Sequence, residues 1–192
     1  MPPAFLLLLG FPGTGKYTVA RALAEALAAR GSTARVVDNH WVNNPIFGVL
    51  RTDGRTPLPE PVWGLVGQVR EAVLTAIDDH GPREWSYVFT NYIQAAEAAE
   101  AAPYVARLRE MAERRGAAFL VVRLLCETEA LCRRIEQPER RERLKATSPE
   151  WLRGEIAAHE LYAPAGPGTM TLDITKLAPD AAARVILEAL PA

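Results

Sequence analysis

The chain has 192 residues, 49% of them apolar and 23% charged, with 22 Lys and Arg against 23 Asp and Glu and a formal net charge of -1. That size suits one domain with a sizeable core, and the near balance of charge excludes a protein whose main business is coating nucleic acid, which needs a basic surplus. Cys126 and Cys132 are too few for a four-ligand metal site and read as buried thiols in a reducing cytosol. No segment reaches the roughly 20 consecutive apolar residues that span a bilayer. The chain is therefore expected to be cytoplasmic, with no membrane or nucleic-acid partner.

In chain order, Ala4 to Leu9 is a continuous apolar run that predicts a buried parallel strand. A glycine-rich loop, Gly10 to Gly15, follows. A helix from about Lys16 to Arg30 carries Val19, Leu23 and Leu27 on one face and ends at Gly31. Ala34 to Val37 is a short second strand. Asp38 to Pro59 reads as irregular and polar, before a long helix from Glu60 to Asp79 with Val62, Val66, Val69 and Val73 at helical spacing. Tyr87 to Thr90 is strand three, Pro103 to Arg115 a helix, Phe119 to Leu125 strand four and Thr128 to Ile135 a further helix. Glu136 to Thr147 is too charged for core and predicts a surface flap or a solvated helix. Ser148-Pro149-Glu150 reads as a capped helix start. Met170, Leu172 and Ile174 alternate as a fifth strand, and a last helix covers Pro179 to Leu190. Five strands interleaved with helices predict an α/β fold of three layers, with a five-stranded parallel sheet covered on both faces. The whole of 1–192 reads as one domain.

The strongest signal is Gly10-Phe11-Pro12-Gly13-Thr14-Gly15-Lys16-Tyr17-Thr18, set between an apolar strand and an amphipathic helix. Glycines let successive backbone N–H groups point inward as an anion nest, and the helix N-terminus adds partial positive charge. Lys16 brings a mobile cation to the outer phosphates of a nucleotide. The residue after that lysine is usually Ser or Thr, whose hydroxyl helps hold Mg²⁺. Here it is Tyr17, so Thr18 becomes the candidate metal ligand.

This loop with its five interleaved strands resembles the small-molecule and nucleotide kinase branch of the P-loop proteins: adenylate, shikimate and gluconate kinases and chloramphenicol phosphotransferase. The chain is also similar to bacterial proteins labelled only as AAA-family or P-loop ATPases. The resemblance implies a phosphotransferase using ATP and Mg²⁺ on a small-molecule acceptor, with Gly10, Pro12, Gly13, Thr14, Gly15, Lys16, Tyr17 and Thr18 cradling the nucleotide. It places an acid after strand two opposite the acceptor hydroxyl, where Asp38 stands as orienting group or base. Asp38 could instead close a turn with Asn39. His40 and Asn91 are further acceptor-binding candidates. Strand three offers no acid for the metal shell.

The resemblance also implies an acceptor lobe at about 38–63 and a lid at about 133–148. The lobe holds Trp41, Phe47 and Trp63, either as an apolar wall for a ring or as ordinary core, and Arg51 and Arg55. Arg133, Arg134, Arg140, Arg141, Arg143 and Lys145 crowd the lid. A guanidinium can meet two oxygens of a phosphoryl group in flight, and Arg134 or Arg140 is the expected catalytic one. Interleaved Glu136, Glu139 and Glu142 offer a plain ion-paired helix as the alternative. Two other readings stand beside the small-molecule kinase: a nucleoside-monophosphate kinase, and a nucleotide-binding switch with weak turnover. Acceptor identity, base preference and oligomeric state stay open.

Overall fold

The computed structural model describes residues 2–50, 52, 56, 58–142 and 144–190, apart from the side chains of Glu139 and Arg141. Arg51, Arg55 and Arg143, noted in the sequence, lie outside the described residues. Five strands, β1 (Ala4–Leu9), β2 (Ala34–Val37), β3 (Ser86–Asn91), β4 (Ala118–Leu125) and β5 (Thr169–Asp173), form one sheet in the order β2-β3-β1-β4-β5. Every neighbouring pair is parallel. The helices are α1 (Lys16–Ala29), α2 (Asn39–Leu50), α3 (Glu60–His80), α4 (Ala98–Arg114), α5 (Thr128–Ile135), α6 (Glu139–Glu142), α7 (Pro149–Ala158) and α8 (Pro179–Glu188).

The period of two along β1 separates two cores. Phe5, Leu7 and Leu9 enter one layer with Leu74 and Ile77 of α3 and Leu108 and Met111 of α4. Leu6 and Leu8 enter the other with Val19, Leu23 and Leu27 of α1 and Ile186 and Leu187 of α8. A strand buried on both faces needs apolar residues at consecutive positions, which is why β1 reads as an unbroken run. Edge strand β5 keeps Thr171 and Asp173 exposed, the wetter face expected of it. Both cysteines are free thiols; Cys132 is buried and Cys126 half-buried. No helix among the described residues is long and apolar enough to cross a membrane.

Two stretches differ from the expectation. The segment after β2, read as irregular, begins with the twelve-residue helix α2, with Pro45 inside it. Val42 and Phe47 bury against Val66 of α3, and that burial outweighs the backbone hydrogen bond a proline removes. Helix α4 starts at Ala98 rather than Pro103, after a 3-10 turn over Ala95–Glu97. The alanine-rich run has high helix propensity, and Gln94 and Glu97 form a reciprocal cap at its start. Trp63 packs edge-on against Phe47 at 5.8 Å between ring centroids, while Trp41 is 58% exposed. Phe47 and Trp63 therefore serve as packing between α2 and α3. At α7 the expected cap is present, Ser148 Oγ accepting the Trp151 N–H.

Arg115 closes the carboxyl end of α3. Its guanidinium donates to the carbonyl oxygens of Ile77, Asp78, Gly81 and Pro82, and it lies over the rings of Phe5 and Tyr87. A cation at a helix C-terminus offsets the negative end of the dipole and satisfies orphan carbonyls. Arg115→Met keeps the stem but strips those donors. It is expected to cost about 2–4 kcal/mol in urea unfolding; a loss under about 0.5 kcal/mol would contradict this role.

Candidate active site

The site lies at the carboxyl ends of β1, β2 and β3, where a parallel sheet of this order opens a crevice. The loop after β1 turns on Gly13 and Gly15, at φ 87° and 90°, a backbone conformation that glycine adopts at little cost. A Cβ on Gly13 would stand 2.9 Å from the Leu131 carbonyl oxygen of α5, which backs the loop. Thr14 folds inward, its N–H and hydroxyl both donating to the Phe11 carbonyl at 3.2 and 2.6 Å. The N–H groups of Gly13, Gly15, Lys16 and Thr18 find no backbone acceptor among the described residues. A run of unsatisfied donors at a helix N-terminus is an anion site.

Lys16 is turned back onto its own loop, Nζ donating to the carbonyls of Gly10 at 2.6 Å and Phe11 at 3.1 Å. Burial of the ammonium, together with the charges of Lys145 and Arg140, lowers its pKa to about 7 against the weaker pull of Asp38. Arg140, on α6, is likewise lowered by burial to about 10, and its Nε donates to the Ala146 carbonyl at 3.0 Å. Three cations thus face one carboxylate.

That carboxylate is Asp38, 3% exposed at the end of β2. Oδ1 accepts from the Thr90 hydroxyl at 3.0 Å and from the His40 N–H at 3.3 Å. Oδ2 pairs with Lys145 Nζ at 3.0 Å. Burial acts to raise its pKa, but Lys145 and the His40 contact outweigh burial and hold it below the usual carboxylate range. Asp38 thus bonds the first turn of α2 through the His40 N–H and presents its charge beside Lys16. His40 faces Asn44, with Nδ1 and Oδ1 3.2 Å apart, and burial, with Lys145 next, lowers its pKa to about 4. Its ring is neutral near pH 7. Asn91, buried at the end of β3, accepts the Tyr92 N–H on Oδ1.

The segment expected to be a lid, about 133–148, holds the two arginines singled out in the sequence in different places. Arg134 on α5 donates to the carbonyls of Thr14 at 3.3 Å and Thr175 at 3.4 Å, bridging the phosphate loop to the loop after β5. Arg140 sits in the charge cluster with Lys16 and Asp38. Lys145, which the sequence shows only as one more basic residue, makes the direct contact to Asp38. Its ammonium also lies 5.5 Å from the centre of the Tyr17 ring, so the residue replacing the usual hydroxyl packs against Lys145. Leu144, just before it, has φ 52°, a conformation costing a non-glycine residue about 1–2 kcal/mol. Leu144 packs against the α2–α3 cluster, which offsets that strain. Thr18 is exposed on the first turn of α1.

Beside Asp38 a cleft opens between α2, α3 and the ends of β2 and β3. Asn39, Asn43, Arg70, Thr90, Asn91 and Tyr104 supply its polar atoms. Neither His40 nor the aromatic residues Trp41, Phe47 and Trp63 line it; its rings are Phe89 and Tyr104. Arg70 could have been found in the sequence, since it stands four residues after Val66 and three before Val73, on the buried stripe of α3.

No protein-family profile and no curated protein matches the chain. Solved structures do. A sugar kinase from Janibacter sp. HTCC2649 is 17% identical, covering 97% of this chain and 94% of that one, with a TM-score of 0.64. A gluconokinase from Sinorhizobium meliloti 1021 is 20% identical over 98% and 90% of the two chains, TM-score 0.57. A shikimate kinase from Acinetobacter baumannii, solved with shikimate, is 21% identical over 97% and 92%, TM-score 0.54. The chain has the three-layer α/β fold of the P-loop kinases.

Two outcomes follow from the charge cluster. Because the folded pKa of Lys16 lies near 7 and its ordinary value at 10.5, the free protein gains stability as pH rises through that window. An anion bound at Lys16 raises its pKa again, so nucleotide binding at pH 8 takes up close to one proton. Calorimetry in buffers of different ionisation enthalpy measures this uptake, and Lys16→Met abolishes it; no uptake by the native chain would contradict the geometry. Lys145→Met removes the partner holding Asp38 ionised and moves the Asp38 titration to higher pH, read by carboxyl NMR; an unmoved titration would contradict the pairing.

Proposed function

We propose that the chain is a phosphotransferase that moves the γ-phosphoryl group of ATP to a hydroxyl of a small molecule. One observation carries this reading: unsatisfied loop amides and three converging cations stand directly across from a buried carboxylate. The amides of Gly13, Gly15, Lys16 and Thr18 suit the polyphosphate, with Gly10, Pro12, Thr14 and Tyr17 completing the loop. Lys16 and Arg140 suit the charge that spreads over the moving group. Arg134 fits a role in fixing the loop near the nucleoside side.

In the proposed reaction, Lys145 leaves Asp38 for the phosphoryl oxygens, freeing Asp38 Oδ2 for the acceptor hydroxyl. Thr90 holds the other oxygen in place. The acceptor oxygen forms a bond to the γ-phosphorus while the bond from that phosphorus to the β–γ bridging oxygen breaks. The acceptor proton passes to Asp38 and then to solvent, and ADP leaves.

The donor set fits Mg²⁺ held mainly through phosphate oxygens and water. Thr18 would add a hydroxyl and Asp38 a nearby carboxylate, and among the described residues no three His, Cys, Asp or Glu side chains cluster to bind a metal alone. When bound, the ion supplies charge neutralisation for the transferring group. Free thiols and ATP as donor suit a cytoplasmic location.

A phosphate as acceptor, the nucleoside-monophosphate variant, would meet the like charge of Asp38. The switch reading draws support from Tyr17 and from the lack of an acid in β3, and product formation separates it from the enzyme. Incubation with Mg-ATP and a library of hydroxylated metabolites and antibiotics is expected to yield a phosphorylated product. No product with any acceptor, alongside tight nucleotide binding, would favour the switch. Lys16→Ala is expected to lose nearly all transfer. Asp38→Asn should keep nucleotide binding and lose about 10²- to 10⁴-fold in transfer; normal transfer would remove Asp38 from its role.

A further inference from the structure

One half-buried carboxylate has no part in the proposed reaction. Glu155, on α7, accepts two donors on the same oxygen: the Tyr92 hydroxyl at 2.7 Å and the Gln94 side-chain amide at 2.7 Å. Its other oxygen stands 3.9 Å from His159 Nε2, one turn on. Neither donor is local, since Tyr92 and Gln94 lie 63 and 61 residues earlier in the chain, just past β3. Burial, with Glu155 next, pushes the pKa of the Tyr92 phenol up, so the phenol donates and the carboxylate accepts. Backbone bonds fix the same seam. The Ala95 N–H donates to the Glu160 carbonyl at 2.8 Å and the Tyr162 N–H to that of Ile93 at 3.0 Å.

The Tyr92 ring carries this anchor to the glycine-rich loop. It packs on the Phe11 ring with 5.2 Å between centroids and 37° between planes. The Phe11 carbonyl in turn accepts the Thr14 N–H at 3.2 Å, the Thr14 hydroxyl at 2.6 Å and Lys16 Nζ at 3.1 Å. A carbonyl serving three donors sets where Thr14 and Lys16 stand, so whatever holds Phe11 holds them. Phe11 also packs on the cluster of Leu131, Cys132, Ile135 and Leu152, but apolar packing is non-directional. The bond from Tyr92 to a carboxylate is directional and selects one placement of the ring.

We infer that Glu155 is a positioning residue for the glycine-rich loop, acting through the Tyr92 hydroxyl and the Tyr92–Phe11 ring contact to hold Thr14 and Lys16 where a nucleotide's phosphates meet them. Its effect on nucleotide binding rests on the phosphotransferase reading; its ordering of the free loop does not.

The test has two readouts on the full chain: amide hydrogen exchange of Thr14 without ligand, and affinity for a non-hydrolysable Mg-ATP analogue. Tyr92→Phe keeps the ring and removes the hydroxyl, Glu155→Leu removes the acceptor, and Glu155→Gln keeps an acceptor oxygen. Arg153→Gln is the control on the same helix, breaking only the exposed pair with Glu129. Thr14 exchange should quicken about 10-fold in Tyr92→Phe and in Glu155→Leu, less in Glu155→Gln and not at all in Arg153→Gln. Nucleotide affinity should fall about 3- to 30-fold in the first two, and the double variant should be no worse than either, because both act along one chain of contacts. Unchanged Thr14 exchange, equal quickening in Arg153→Gln, additive losses in the double variant, or undiminished nucleotide binding by both variants would each overturn the inference. Where a variant fails to fold, the native chain still decides: it should show Tyr92–Phe11 ring NOEs and a slowly exchanging Tyr92 hydroxyl proton, and the lack of either would overturn it. Quickened Thr14 exchange beside a native chain that binds no nucleotide would sink the phosphotransferase reading and leave Glu155 ordering the loop. Nucleotide bound equally by every chain, with Thr14 unmoved, would do the reverse.

Discussion

Uncompensated positive charge at the carboxyl ends of the central strands is the constraint around which this site is built. The loop after β1 leaves the N–H groups of Gly13, Gly15, Lys16 and Thr18 without a backbone acceptor among the described residues, and the cationic side chains of Lys16, Arg140 and Lys145 crowd beside it. Asp38 answers only part of this. Burial makes the shortfall expensive, which is why Lys16 is driven toward neutrality. Few biological ligands cancel such an array as well as the polyphosphate tail of a nucleotide.

The rest of the structure positions that charge. Parallel pairing of β2, β3 and β1 in register sets Asp38, Thr90 and the glycine-rich loop side by side, so carboxylate and loop hang from one sheet. The segment after α6 is tied in by Lys145, and Leu144 anchors it on the α2–α3 cluster at the cost of an unfavourable backbone angle. These contacts join the segment after α6 to Asp38 and to the α2–α3 cluster. In the proposed reaction, a phosphoryl group that draws Lys145 away frees Asp38 as it arrives, coupling release of the carboxylate to occupancy of the site.

Much of the frame was legible in the residues. The apolar run of β1 demands burial on both faces, and Gly13, Gly15 and Lys16 demand a phosphate loop, because few other structures need those residue types at that spacing. Asp38 could be located since it ends a strand. Helix α2 was hidden by Pro45 and by asparagines that favour turns; its stability comes from Val42 and Phe47 meeting α3, a tertiary contact absent from local pattern. The contacts of Lys145 and Arg70 were hidden for the same reason. Nothing within the lid distinguishes Lys145 from the arginines around it until Asp38, 107 residues earlier, lies 3.0 Å away. Arg70 could have been noticed as a charge on an apolar stripe, but its place over the Tyr104 ring is a fact of three dimensions.

The most direct test follows the loop amides. In ¹⁵N–¹H correlation spectra, the Gly13, Gly15, Lys16 and Thr18 resonances should shift strongly and saturably as a non-hydrolysable Mg-ATP analogue is added, with little change on the far side of the sheet. Unmoved loop amides in a folded protein at millimolar nucleotide would show that this turn does not hold a polyphosphate, and the proposed chemistry would fall with it.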